Sequence, residues 1–172
     1  MAMAQPFPTR SLSDAEFREG VVTVSHALRA EDAWDAGVAI GAYLDGLRGG
    51  RILGRTCRRC DRVLVPPRMF CEQCFRPTDG WVEVPARGWV ATFSVCYVTW
   101  DMQPLVLPEL PAVIELGAGQ PAAGVGPHPG ILHRLGGVDP DDVSIGMPVR
   151  AVWKPAEERQ GSILDIRYWA PE

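Results

Sequence analysis

The sequence predicts a mainly β protein with an N-terminal helix or helices, a small zinc ribbon and a C-terminal antiparallel barrel of the OB-fold type. Three observations lead to this prediction. Two Cys-x-x-Cys pairs stand ten residues apart in the middle of the chain. The 172 residues include 18 Gly and 16 Pro, which favours many turns and short strands over a helical bundle. From Trp81 onward, short apolar runs alternate with turn residues, as in small closed barrels.

Residues 1–50 are predicted to form an arm and one or two helices. The arm at the start indicates a disordered or partner-dependent segment. A capping box at Ser13 and Glu16 predicts a first helix towards Arg29, although the β-branched run at 21–24 disfavours it. A clearer helix follows Asp32 and ends at Gly49-Gly50. Its predicted core-facing stripe consists of residues spaced three or four apart: Trp34, Val38, Gly41, Leu44 and Leu47.

Residues 51–80 are predicted to fold around one metal ion. Cys57, Cys60, Cys71 and Cys74 place two sulfurs on each of two knuckles. Four thiolates complete a tetrahedral structural Zn²⁺ site and leave no open position for a substrate. Two disulfides or an iron–sulfur cluster are the alternatives. The lack of a secretory signal argues against the first, and the spacing argues against the second.

Short strands are expected to flank the first knuckle, at residues 51–56 and 63–65. About thirty residues bury too little apolar area to fold alone, so metal binding is expected to supply the folding free energy. The position after each second cysteine often has a left-handed backbone, which suits Gly, Asn or Asp. Asp61 fits this role and Phe75 does not. The second knuckle is therefore expected to have a different shape.

Residues 81–172 are predicted to form the barrel. Strands are expected at 81–84, 88–98, 112–116, 122–126, 149–153 and 163–169, with a strand or helical turn at 131–135. In the long strand, alternation places Trp89, Phe93 and Tyr97 on one face. Residues 100–108 are expected to be a loop with exposed apolar side chains. Asp139 is expected to begin a single helical turn.

The net charge of −4 is unevenly distributed along the chain. Residues 51–87 hold eight Arg and four acidic residues, whereas the remainder holds nine basic and seventeen acidic residues. The basic segment predicts contact with an anion such as a phosphate, a nucleic acid or an acidic partner. An equally open interpretation is that the arginines compensate the excess negative charge of a zinc ion bound by four thiolates.

The chain carries no recognisable catalytic set. His26, His128 and His133 lack the spacing of a metal pair and no candidate nucleophile stands beside them. Cys96 is expected to be a small core residue. The glycine-rich stretch at 117–126 lacks the pattern of a phosphate loop. No apolar run approaches the ~20 residues of a membrane span, and the start does not resemble a signal peptide, so a cytoplasmic protein is expected.

Several motifs, taken in order, resemble one known family. They are YLDGLRGGRIL at 43–53, CRRC, VPPR at 65–68, CEQC, and DPDDV followed by IGMPV between residues 139 and 149. The order is similar to that of acyl-CoA-associated proteins with an N-terminal helix, a rubredoxin-like zinc ribbon and a C-terminal OB-fold, long catalogued as a domain of unknown function. The resemblance covers roughly residues 40–169.

The resemblance implies a non-catalytic auxiliary subunit of a thiolase-like enzyme that cleaves or forms carbon–carbon bonds in acyl-CoA substrates, as in benzoylsuccinyl-CoA thiolase and a steroid side-chain aldolase. A thiolase-like partner would hold the catalytic groups, in a heterotetramer with no membrane or nucleic acid. In that setting the apolar segment at 100–108 would cover the partner's acyl pocket and exclude water. The ribbon arginines become candidates for contacts with CoA phosphates. They are Arg58, Arg59, Arg62 and Arg68.

A single-stranded nucleic-acid-binding module is the alternative, because ribbons and OB-folds both bind single strands. Such a module needs a basic groove with exposed aromatic side chains on which bases stack. Trp89, Phe93 and Tyr97 would supply the stack, but the acidic balance of the barrel half counts against this alternative. An independent hydrolase or aldolase has no residues to support it.

Overall fold

The computed structural model describes residues 13–20, 35–117 and 129–172, which belong to two separate units divided after Trp34. In the first unit, α1 (Asp14–Arg18) begins at a complete capping box. The Ser13 hydroxyl accepts from the backbone N–H of Glu16, and the Glu16 carboxylate accepts from the N–H of Ser13. The capping box is confirmed. The predicted continuation of this helix towards Arg29 is wrong, because α1 ends at Arg18, Glu19 is its C-cap and Gly20 has φ +65°. His26, His128 and the strand expected at 122–126 lie outside the described residues.

The second unit opens with α2 (Gly37–Arg48), which ends at Gly49 as predicted. Trp34 of the predicted stripe lies outside the described residues. The remainder of the stripe is only partly right, because Val38 is 71% exposed and a Cβ on Gly41 would meet nothing within 4 Å. The buried face is formed by Ala39, Tyr43, Gly46 and Leu47.

A close approach between α2 and the first strand sets this face. A Cβ on Gly46 would lie 2.9 Å from Leu53 Cγ, so the helix presents its side-chain-free position to the strand. No helix in the described parts of the chain has both the length and the apolar character needed to cross a bilayer.

Three strands form the sheet of the ribbon: β1 (Ile52–Cys57), β2 (Arg62–Leu64) and β3 (Trp81–Val84). Their order is β2-β1-β3, and both pairs are antiparallel. β1 and β2 lie where expected on either side of the first knuckle. Because β3 pairs with β1, the sheet extends past residue 80, where the sequence places the end of the ribbon.

The described residues form seven further strands. They are β4 (Arg87–Phe93), β5 (Cys96–Val98), β6 (Pro104–Glu109), β7 (Pro111–Leu116), β8 (Gly130–Arg134), β9 (Pro148–Trp153) and β10 (Ile166–Pro171). Five of them are hydrogen-bonded in the order β10-β9-β4-β7-β8.

The five-stranded sheet closes on itself where β8 meets β10. Leu135 pairs with Trp169 in a parallel bridge, and the N–H of Gly136 donates to the Trp169 carbonyl at 2.9 Å. The Arg134 guanidinium also donates from Nε to the Arg167 carbonyl at 2.8 Å. A small closed barrel of five short strands is the OB-fold architecture, so the predicted fold class is confirmed.

The long strand expected over 88–98 is two strands in two different sheets. A bulge between Val90 and Thr92 interrupts the alternation, so that Trp89 and Val90 are both buried. β4 then ends at Phe93, and β5 pairs with β6 outside the barrel sheet. Tyr97 consequently does not continue the Trp89 face. The prediction is wrong here because the bulge and the pairing partner are tertiary features.

Residues 96–109, which we call the apolar hairpin, lie between barrel strands β4 and β7. The predicted loop at 100–108 is wrong from Pro104 onward, because β6 pairs with β5. The prolines of β6 are tolerated because this sheet has only two strands, so one edge of β6 has no neighbouring strand that would need a backbone N–H. The expectation of exposed apolar side chains is confirmed, with Trp100 at 96% and Val106 at 100% exposure. Cys96 is half-buried rather than part of the core.

Helix, ribbon sheet and barrel contribute to one hydrophobic core. The largest fully buried side chains in it are Leu47, Ile52, Ile114, Leu116 and Trp169. The described residues of the barrel half contain three 3₁₀ turns, at Pro140–Asp142, Ala156–Glu158 and Ile163–Asp165. Pro140–Asp142 is capped by Asp139, as predicted. Ile163–Asp165 replaces the first residues of the strand expected at 163–169, because Ser162 caps a turn there.

Asp165 holds the connection between β9 and β10 in place. Its fully buried carboxylate accepts the backbone N–H groups of Gln160, Gly161 and Ser162 at 3.1, 2.8 and 3.0 Å. Burial acts to raise the pKa of this carboxyl, but the three donors outweigh it and hold the pKa below its usual value. Gly161 then packs beside the end of α2, where a Cβ would lie 3.2 Å from the Leu44 carbonyl oxygen.

We expect Asp165→Asn to lower the free energy of unfolding by about 2–3 kcal/mol at pH 7. The reason is that a neutral amide oxygen accepts backbone hydrogen bonds more weakly than a charged carboxylate does. Since the pKa of Asp165 is lower in the folded state, the ionised carboxylate stabilises the fold above the unfolded-state pKa of about 3.9. That stabilisation disappears as the pH falls through the folded pKa. Urea unfolding at several pH values measures the difference, which should shrink below about pH 4.

Asp139→Asn is the matched control, because Asn caps a turn about as well as Asp. It should change stability by less than about 0.5 kcal/mol. An Asp165→Asn protein as stable as the Asp139→Asn protein would contradict the role of Asp165.

Candidate functional site

The four predicted metal ligands come together at one point. Cys57 ends β1, Cys60 follows in the first knuckle, and Cys71 and Cys74 form the second. The Sγ atoms of Cys57 and Cys74 lie 3.7 Å apart, and those of Cys60 and Cys71 lie 3.9 Å apart. All four ligand atoms lie within 4.8 Å of one another. Four sulfurs at about 2.3 Å from a central Zn²⁺ would be separated by about 3.8 Å, so the four cysteines are positioned for zinc binding.

The four thiols do not ionise equally readily when no metal is bound. The backbone N–H of Cys74 donates to the sulfur of Cys71 and lowers the pKa of that thiol to about 7. Burial raises the pKa of Cys60 to about 12. The Cys71 thiolate therefore forms readily, whereas Zn²⁺ would have to displace the proton of Cys60 against this shift. Zn²⁺ would act structurally here, because the four thiolates fill its coordination sphere.

Both knuckles have the same backbone shape. Asp61 has φ +47°, as the sequence predicts, and Phe75 has φ +55°. The expectation that the second knuckle differs is wrong. The tight turn decides the conformation, because the N–H of Phe75 donates to the Cys71 carbonyl at 2.8 Å. The Phe75 side chain is 83% exposed, and its residue type disfavours this backbone conformation.

Arg55, which the sequence pattern does not single out, connects the ribbon strands to the segment after the second knuckle. Its buried guanidinium donates to the hydroxyl and the carbonyl of Thr78 at 2.8 and 2.7 Å. It also lies 4.9 Å from the ring centroid of Trp81 on β3. The sequence feature that could have identified Arg55 is a single Arg within a short strand that leads into a cysteine.

The four candidate arginines divide into two pairs. Arg62 and Arg68 both form ion pairs with Glu72, at 3.0 and 3.4 Å. Arg58 and Arg59 are exposed and form no ion pair within the described residues. The backbone N–H of Arg58 donates to the Asp79 carboxylate at 2.7 Å, which fixes the chain at this point.

One further arginine accompanies the exposed pair. Arg76, which the sequence analysis did not select, lines a cleft of about 490 Å³ together with Arg59, Thr78 and Asp79. The arginines are therefore not a single cluster. Arg62 and Arg68 form ion pairs with Glu72, whereas the guanidinium groups of Arg58, Arg59 and Arg76 are exposed on the surface.

The aromatic stack that a nucleic-acid module needs is not formed. Trp89 is 5% exposed and its indole N–H donates to the Glu115 carboxylate at 2.8 Å. Phe93 packs against the barrel core, and of the three expected residues only Tyr97 is well exposed. Stacking on bases requires exposed ring faces, so this arrangement disfavours the nucleic-acid alternative.

His133 does not belong to a catalytic pair. It is half-buried, and burial lowers the pKa of its imidazole. Its ring nitrogens lie 3.5 and 3.4 Å from the carbonyl oxygens of Arg134 and Ile163, not beside a nucleophile.

Comparison with known proteins agrees with this architecture. Residues 44–79 match the family model described as the rubredoxin-like zinc ribbon domain of ChsH2, and residues 81–154 match its C-terminal OB-fold domain. A DUF35 domain-containing scaffold protein from Methanocaldococcus jannaschii is 31% identical over 108 residues, which cover 62% of this chain and 70% of that protein. The chain belongs to the DUF35 family. The family resemblance drawn from the motifs is thereby confirmed.

Two solved structures share the fold of this DUF35 chain. A DUF35 protein of unknown function from Sulfolobus solfataricus superposes with a TM-score of 0.57 at 21% identity, covering 79% of this chain and 87% of its own. The structure described as the Ltp2-ChsH2(DUF35) aldolase matches with a TM-score of 0.53 at 21% identity, covering 83% and 98%. At these identities the likeness concerns the fold alone.

We expect the purified chain to contain about one zinc ion and Cys71→Ser to lose most of it, because three ligands bind Zn²⁺ far more weakly than four. Loss of the metal should lower the free energy of unfolding by at least about 3 kcal/mol, since metal binding and ribbon folding are coupled. Elemental analysis and denaturant unfolding measure both effects. Cys96→Ser, the control, should keep the metal. Metal-free wild-type protein with intact disulfides would contradict the assignment.

Proposed function

We propose that this DUF35 chain is a non-catalytic subunit of a cytoplasmic thiolase-like enzyme that cleaves or forms carbon–carbon bonds in acyl-CoA substrates. The chain would assist assembly, acyl-CoA binding and completion of the active site, as part of a heterotetramer. The name of the archaeal relative, a scaffold protein, and the two-component name of the Ltp2-ChsH2 aldolase support a role beside a catalytic chain. The closed set of four cysteines supports a structural rather than a catalytic metal.

The observation that carries this proposal is the exposure of the apolar hairpin. Its exposed large side chains are Tyr97, Val98, Trp100, Met102, Val106 and Leu107. Soluble proteins rarely expose so many neighbouring apolar groups unless another molecule covers them. Leu107 also borders a groove of about 660 Å³ that continues to Leu110 and Leu135 at the closure of the barrel.

A catalytic partner is the occupant that best suits the hairpin. An acyl pocket has an apolar mouth, and an apolar hairpin laid across it excludes water from the reacting groups. Asp101 and Glu109 on the hairpin form no ion pair within the described residues. They complement a mouth whose rim is basic, as expected for an enzyme that binds the phosphates of CoA.

The ribbon arginines are proposed to meet the CoA phosphates. Arg58 and Arg59 are the stronger candidates because their guanidinium groups are exposed and unengaged within the described residues. Arg62 and Arg68 are committed to Glu72 and would contribute mainly by holding the second knuckle against β2. Guanidinium groups suit phosphates because they donate two parallel hydrogen bonds to one anion.

Co-expression with the thiolase-like protein of the same organism should give a stable complex that turns over acyl-CoA, whereas this chain alone should not. Trp100→Ser combined with Val106→Ser should reduce the affinity of the complex at least about tenfold, because buried aromatic anchors dominate interfaces. Co-purification and titration calorimetry measure the effect. Leu132→Ser combined with Leu164→Ser removes exposed apolar groups elsewhere and should change nothing. Equal losses from both pairs, or acyl-CoA turnover by the isolated chain, would contradict the proposal.

Arg58→Ala combined with Arg59→Ala should raise the KM of the complex for acyl-CoA about tenfold and leave kcat within about twofold, because the phosphates lie far from the reacting bond. Steady-state kinetics of the purified complex measure both constants. Arg150→Ala removes an exposed arginine of β9 outside the ribbon and serves as the control. An unchanged KM in the double variant would remove the arginines from the CoA site.

A further inference from the structure

Phe75 occupies a backbone conformation that its residue type disfavours. Its φ of +55° lies in the left-handed region, which a residue with a Cβ adopts less readily than Gly. Asp61 occupies the equivalent position of the first knuckle with φ +47°, and a short polar side chain tolerates this conformation well. The two knuckles therefore provide the same backbone position with a well-suited residue in one and a poorly suited residue in the other.

Within the part of the chain that the structure describes, no packing contact accounts for an aromatic ring at this position. The ring is largely exposed and belongs to neither hydrophobic cluster. The hydrogen bond from the Phe75 N–H to the Cys71 carbonyl uses only the backbone, so Asn or Gly would form it equally. A strained residue without an internal contact points to a contact outside the chain.

The surroundings of Phe75 indicate the chemistry of that contact. Met69 and Phe70, in the same knuckle segment, are also exposed. Arg76 follows Phe75 directly and shares a cleft with Arg59. We call Met69, Phe70, Phe75 and Arg76 the second-knuckle surface. Aromatic, Met and Arg side chains of this kind are enriched at the centres of protein interfaces.

We propose that Phe75 is an aromatic anchor that inserts into an apolar pocket with an acidic rim on a partner protein. This inference rests on the proposed function for the identity of the partner, which is the catalytic chain. The acidic rim follows from charge, because Arg76, next to Phe75, is exposed and forms no ion pair within the described residues. Three exposed apolar side chains favour a protein pocket over a nucleotide, since a single base would cover only one ring.

The relation between stability and binding provides the test. Phe75→Asn should raise the Tm of the isolated zinc-loaded chain by about 2 °C, because Asn tolerates the left-handed region. The same variant should weaken binding to the co-expressed thiolase-like chain at least about tenfold. Phe75→Tyr, which keeps the ring, should bind within about threefold of wild type. Asp61→Asn, at the equivalent position of the first knuckle, should leave both Tm and affinity unchanged.

Titration calorimetry of the wild-type chain against the thiolase-like chain comes first. If these two proteins do not associate, the proposed function fails and this inference fails with it. If the wild type binds and Phe75→Asn binds equally well, the anchor is refuted while the proposed function stands. If Phe75→Asn weakens only the binding of free CoA, the ring stacks on the nucleotide base and the protein anchor is likewise refuted.

Discussion

The convergence of four sulfurs on one point is the constraint on which the rest of the structure depends. The ribbon has almost no hydrophobic core of its own, since its separate cluster of buried residues consists of Cys57, Leu64 and Cys71. Two of these three are ligands. A tetrahedral metal site therefore replaces the apolar interior that a segment of this size cannot assemble. We therefore expect the knuckles and the short strands to keep their places only while the sulfurs are held together.

The ribbon is also joined rigidly to the remainder of the second unit. Ile52 of β1 and Val84 of β3 belong to the main core, together with the buried side chains of α2 and the barrel. Leu53 packs on Gly46, and Asp165 fixes the β9–β10 connection beside the end of α2. The metal site, the helix and the barrel thus form one cooperative body. A surface composed of ribbon and barrel residues would be presented to a partner with little loss of conformational entropy.

In the part of the chain that the structure describes, exposed cationic and apolar groups lie on the surface of the ribbon and of the apolar hairpin. The ribbon carries exposed arginines, while the barrel half is acidic and bears the apolar hairpin. Contacts within the chain explain Arg55, Arg62 and Arg68. The guanidinium group of Arg55 is bound by Thr78, and those of Arg62 and Arg68 by Glu72. Such contacts do not account for Phe75 or for the exposed hairpin side chains. The residues that folding leaves unexplained are the ones a docking subunit would need.

The sequence alone determined the features that depend on neighbours along the chain. Cysteine spacing identified the metal site, Ser13 and Asp139 identified their caps, and Gly49 marked the end of α2, because each acts within a few residues. Tertiary structure decided which face of α2 is buried, where β4 breaks, that β6 is a strand, and which arginines Glu72 engages. It also decided that the backbone of Phe75 is in the left-handed region and that the side chain of Trp89 is buried. These outcomes depend on packing and pairing between segments distant in sequence, which local propensity does not encode.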